Sequence, residues 1–239
     1  MFTMSLHAGL LRRRTLGLAV LPLMVAVVAI ILRFTVTGNE RVQAFSTLTA
    51  ELLVPLVTGL VALVVGVNAF GDEREEGTLP LLMATSTPRW RIVAAKVAAA
   101  WLATWIVCLP AVLACASLGV STGLDGTAVV TGVLAASVLG AGGYVSLFVL
   151  LSLLVQRSVL VGLAYVVIWE GALAGYATSF RNLSVGAYGR RLVASAFSPE
   201  AVTFSVADVS AVVAALLLVA LVAVAFCLGS WRLPRLEVH

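Results

Sequence analysis

Long apolar runs recur along this chain and leave it few ways to fold. They cover roughly Leu16 to Leu32, Leu48 to Phe70, Ile92 to Leu118, Ala128 to Val155, Val159 to Ala177 and Val209 to Leu228. A hydrocarbon core about 30 Å thick needs about 20 apolar residues per helix, which is the scale of these runs. Backbone groups in lipid must pair within their own segment, and that selects helices. The spacing predicts an all-α membrane protein: one transmembrane domain over residues 1–239 with six transmembrane helices. Composition agrees. Only 11% of the residues are charged and 62% are hydrophobic, whereas a water-soluble domain carries about 25% charged residues.

Lys and Arg set the orientation. With the N-terminus in the cytoplasm, the inner side holds Arg12, Arg13, Arg14, Arg74, Arg89, Arg91, Lys96, Arg157, Arg232 and Arg235. The outer side then holds only Arg33, Arg41, Arg181, Arg190 and Arg191. The expectation is a multi-pass protein of a bacterial plasma (inner) membrane with both termini cytoplasmic. The Arg12–Arg14 cluster resembles the start of a signal peptide. The run after it exceeds the usual h-region of about 7–15 residues and lacks a cleavage pattern, so it reads as a retained first span. Before it, Phe2, Leu6, Leu10 and Leu11 recur at helical spacing, as in an N-terminal interfacial helix. Cys108, Cys115 and Cys227 lie in apolar runs without metal-ligand spacing and read as packed hydrophobes. No basic stripe with interleaved aromatics supports nucleic-acid binding.

Two connections depart from a plain span-and-loop pattern. Residues 181–208 mix Leu192, Val193, Phe197, Val202 and Phe204 with Arg190, Arg191, Glu200 and Asp208. That is too polar to span and too apolar to float free, so a re-entrant outer hairpin before the sixth span is expected, covered by protein. In this segment Arg190 and Arg191 read equally as lipid-headgroup contacts and as a solvated turn. The second is residues 71–96, GDEREEGTLPLLMATSTPRWRIVAAK. A dense charge run ends at Gly77, which permits a sharp bend. Thr78 then offers an N-cap and Pro80 suits a first helical turn. A short crossbar helix on the cytoplasmic face would tie spans two and three together and take force from a partner. An ordinary charged inner loop is the competing reading. No GxxxxGK[ST] occurs, so no nucleotide-binding domain is expected on this chain.

Arg74-Glu75-Glu76-Gly77-Thr78-Leu79, then Leu81-Leu82, Thr87-Pro88-Arg89-Trp90 and Lys96, resemble the signature of type-2 ABC transporter permeases. The order of parts is similar over essentially the whole chain. Pro80 stands where that family commonly carries an acidic residue. The resemblance implies the type V exporter fold, similar to daunorubicin-resistance-type permeases. It makes the segment a cytoplasmic coupling helix, with Glu73, Arg74, Glu75, Glu76, Gly77, Thr78 and Leu79 contacting a separate ABC ATPase subunit. It also implies a second permease subunit, in a homo- or heterodimer. No cofactor belongs to this chain; ATP and Mg would sit on the partner ATPase.

Glu51, Asn68 and Glu170 lie in spans. A charge at the bilayer centre costs about 2.5–3.5 kcal/mol on insertion scales, so neither carboxylate is expected to face lipid. Glu170 and Glu51 read either as substrate-path residues or as structural hydrogen bonders. Asn68, also in the candidate path, favours an interhelical hydrogen bond. Gly171 and Gly175 form a GxxxG spacing that suits close helix packing. The function expected is the permease half of an ATP-driven exporter for hydrophobic or amphipathic compounds, drug-like molecules or lipids, with drug efflux and antibiotic resistance as its setting. The alternatives are an ATP-independent secondary transporter or channel and a non-transporting scaffold. An intramembrane enzyme has little in its favour, since HExxH is missing and facing spans carry no Asp or His pairs.

Overall fold

The computed structural model describes residues 17–75, 89–155, 157–173, 182, 184–195, 197, 204 and 206–232. Among them, all regular structure is helical. Helix α1 is Val20–Thr35. Helix α2 begins as Asn39–Ser46, widens to a π-helix over Thr47–Val57 and returns to α-helix over Thr58–Glu75. Helices α3 and α4 are Arg89–Val120 and Gly126–Leu154. Helix α5 is Ser158–Ala164, continued by a π segment over Tyr165–Leu173. Helix α6 is Val185–Ala194 and α7 is Ala211–Arg232.

Four helices are long and apolar enough to cross a membrane: Asn39–Phe70, Trp90–Val120, Gly126–Leu154 and Ala211–Trp231. The first and fifth expected spans are present as shorter apolar helices, Val20–Thr35 and Ser158–Gly171. Helix α2 extends past its apolar run at the start. Span two was expected to start at Leu48, yet α2 starts at Asn39, straight after Gly38, whose φ of 62° makes the turn. A polar first turn that stands in water is helical but not hydrophobic, so composition does not register it. The expected interfacial helix of residues 1–14 and most of the crossbar, residues 76–88, lie outside the described residues.

Helix α4 is the hub. It packs against α2, α3, α5, α6 and α7, and Tyr144, Val145, Phe148 and Val149 along it are buried. Helix α1 instead leans on α3. It buries the narrow stripe Pro22, Ala26 and Ala29, while Met24, Val27, Ile31 and Phe34 point outward. Small residues at helical spacing let two backbones approach where no hydrophobic drive separates helix from lipid. Helix α7 likewise turns Ala214 and Leu218 inward and leaves Val212, Leu216 and Val219 exposed.

Directional bonds fix the helices relative to one another. Trp101 Nε1 donates to the Val138 carbonyl at 2.8 Å, joining α3 to α4. Lys96 Nζ donates to the Ala69 carbonyl at 2.5 Å and lies 5.0 Å from the Phe70 ring centroid, joining α3 to α2. At the opposite end, Arg41 donates from Nε to the Val36 carbonyl and from Nη1 to the Ser121 carbonyl, each at 2.8 Å. One guanidinium thus closes the α1–α2 turn onto the α3–α4 turn. Asp125 caps α4 by accepting from the Thr127 amide at 3.0 Å and the Thr127 hydroxyl at 2.8 Å.

Candidate functional site

The site grows out of a proline. Pro55 has no N–H, and in a regular α-helix its ring would collide with the carbonyl four residues back. Around it α2 takes the wider π turn, a form that recurs at functional positions. Thr58 Oγ1 donates to the Leu53 carbonyl at 2.8 Å, supplying a partner where the ladder is disturbed. From Arg41, held at the turn end, to Pro55 the helix descends roughly 20 Å at 1.5 Å per residue. The π segment therefore lies deep in the bundle. The π segment of α5 packs against it, and so does α6.

Helix α6 starts at this depth. A helix beginning inside a membrane leaves four N–H groups without water or intrahelical partners. Here the first three amides of the helix find partners, and the fourth makes its first internal bond. The Val185 amide donates to the Tyr165 hydroxyl at 3.5 Å and the Gly186 amide to Glu170 Oε1 at 3.0 Å. The Ala187 amide donates to Ser184 Oγ at 2.9 Å and the Tyr188 amide to the Ser184 carbonyl at 3.4 Å. Ser184 is a hydroxyl N-cap. The Glu170 carboxylate, 4% exposed, adds negative charge at the positive end of the helix dipole. It also accepts from the Tyr165 hydroxyl at 3.0 Å and from Ser184 Oγ at 2.5 Å. Three donors thus converge on one buried carboxylate.

Gly186 makes the approach possible. A Cβ there would stand 2.6 Å from Glu170 Oε2, 2.8 Å from the Tyr144 hydroxyl and 2.9 Å from Pro55 Cβ. Further along α6, Gly189 rests on Val54. From there the chain climbs back toward the turn end, where Phe197 stacks on Phe45 at 5.6 Å and meets Phe204 edge-on at 5.8 Å. Arg190 is a correction to the sequence reading: it stands neither at the outer surface nor in a solvated turn but is buried, 6% exposed, on the helix wedged between α2 and α4.

The residues singled out in sequence do not form one cluster. Glu170 stands at the α6 start. Glu51 lies on the π segment of α2 but is exposed on the chain's outer surface. Asn68, half-buried, is roughly 25 Å farther along α2. Glu73, Arg74 and Glu75 form the last turn of α2, while Glu76, Gly77, Thr78 and Leu79 lie outside the described residues. Among the described residues Gly171 meets nothing nearer than the Val166 carbonyl at 3.8 Å, while Gly175 lies outside them. Sequence reasoning missed Tyr144, Tyr165, Ser184 and Gly186. Ser184 before an amphipathic stretch was the one readable signal. Among the described residues no group of three His, Cys, Asp or Glu could hold a metal ion.

A bundle of apolar helices with a capped half-helix inside it does not by itself name a function, and a family model does. The model described as ABC-2 family transporter protein matches residues 9–237. The chain belongs to the ABC-2 family of transporter proteins. No curated protein matches it. As an ABC-2 permease it is the membrane subunit of an ABC transporter, a multi-pass protein of a family that normally works with an ATPase partner. The ABC-2 match spans the charged segment between α2 and α3 as well as the α5–α6 cluster.

Proposed function

We propose that this permease is half of the membrane part of an ATP-driven exporter that moves hydrophobic or amphipathic compounds outward by alternating access. The observation that carries this reading is the family match over residues 9–237. The course of α2 supports the coupling step: one helix runs from Asn39, past the π segment beside α6, to the acidic residues Glu73 and Glu75. Motion imposed at its charged end would be carried to the capped start of α6 by a continuous rod, roughly 55 Å long at 1.5 Å per residue. In this reading residues 73–79 dock on the ATPase. Glu51, exposed on a membrane-embedded face, turns toward the second permease subunit or the path between them, because a carboxylate facing lipid is unfavourable.

The test is reconstitution with the cognate ATPase. Replacing Glu76 or Gly77 should leave membrane insertion intact while uncoupling ATP hydrolysis from substrate movement. Wild-type transport in both variants would refute the coupling assignment, and transport without any ATPase would favour a secondary transporter.

A further inference from the structure

We infer that Arg190 forms a binding site for an oxyanion, the phosphate or carboxylate head of an amphiphile, inside the α2–α4–α6 contact. Its Nε and Nη2 atoms are buried and have no hydrogen-bond partner. These two nitrogens form one edge of the guanidinium, whose paired N–H groups match two oxygens of a carboxylate or phosphate. A buried cation with that edge empty is strongly unfavourable, so an anion belongs there in some state of the protein.

Among the described residues no carboxylate pairs with this edge. Glu170 is the nearby buried carboxylate, but three donors occupy both its oxygens. Glu51, the other carboxylate on the adjoining π segment, faces outward. Arg191 Nε, next along α6, is also buried without a partner, so positive donors are in excess on this helix. The Tyr144 hydroxyl lies beside Glu170 at the same level and adds to the donors around that carboxylate. The fork is closed in this conformation. Beside it α6 meets the π segment of α2 through the Cβ-free Gly186 and Gly189. The inference requires only the membrane-embedded bundle and stands whether or not ATP drives transport.

The full-length permease in neutral maltoside micelles provides the test. Dodecyl phosphate should raise its thermal unfolding midpoint in a saturable way, while dodecanol and dodecyltrimethylammonium should not. Arg190→Gln should abolish that shift, and Arg190→Lys, which keeps the charge but loses the fork, should weaken apparent affinity about tenfold. Equal stabilisation by all three compounds, or an undiminished shift in Arg190→Gln, overturns the site. Should Arg190→Gln fail to fold, the wild-type comparison decides alone. Phosphatidylglycerol retained by the wild type and lost from Arg190→Gln in native mass spectra assigns the anion to the bilayer. Dodecyl phosphate binding without retained lipid assigns it to cargo; both outcomes uphold the oxyanion site.

Discussion

At the scale of single residues, the balance of donors and acceptors decides what a polar group in this bundle can do. Glu170 accepts from Tyr165, Ser184 and the Gly186 amide. Glu170→Ala leaves a helix start and two hydroxyls without that acceptor, and should lower stability by about 2–4 kcal/mol, read as a fall in unfolding midpoint in detergent. An unchanged midpoint would show that the carboxylate does not hold α6. Gly186→Ala adds a Cβ 2.6 Å from a carboxylate oxygen and 2.9 Å from the Pro55 ring. It should cost about 1–3 kcal/mol by overpacking, with Ala187→Gly as a milder control on the same helix. Glu170 stood out in the sequence because a charge inside an apolar run is conspicuous. Its partners stood out less: Ser184 offered only an N-cap signal, and Tyr165 and Gly186 are ordinary residues until the fold brings them to the carboxylate. Arg190 was misjudged for a related reason: two adjacent arginines in a mixed segment look solvent-exposed unless the helix carrying them is known to be wedged inward.

At the scale of elements, the apolar runs were legible because lipid demands them, but the features that shape the helices were not. The π segments of α2 and α5 change neither composition nor hydropathy, and only Pro55 marks one of them. The polar extensions of α2 at Asn39 and Glu75 were invisible for the same reason. Lys96 ties α3 to α2 near the charged end through the Ala69 carbonyl and the Phe70 ring. Lys96→Met should cost about 2 kcal/mol and reduce substrate moved per ATP hydrolysed in the reconstituted complex; unaltered coupling would separate this clamp from the transmission path. The start of α4 carries a pH signature. The Thr127 hydroxyl, then the Thr127 amide, hold the Asp125 carboxyl below its ordinary value of 3.8. A depressed carboxylate contributes stability that is complete above that value and disappears as pH falls through the lowered one. Amide exchange in the first turn of α4 should therefore accelerate only in acid below that range, and Asp125→Ala should remove the dependence.

At the scale of the molecule, α4 lies at the centre and α1, α5 and α7 present broad apolar faces outward. Glu51 is the anomaly on that surface. If it faces a partner subunit or an aqueous path, Glu51→Cys in the assembled transporter should react with a membrane-impermeant maleimide, more so when ATP hydrolysis is trapped. Complete protection under every condition would place it against lipid or dry protein. The uneven burial of the helices has an evolutionary consequence. In α7 only 17% of the most apolar window is covered by the rest of the chain, against 67% in α4. Leu, Val and Ile can interchange on the uncovered side of α7 with little penalty, so its spelling is free to wander between descendants, while the α4 neighbourhood can change only when several helices change together.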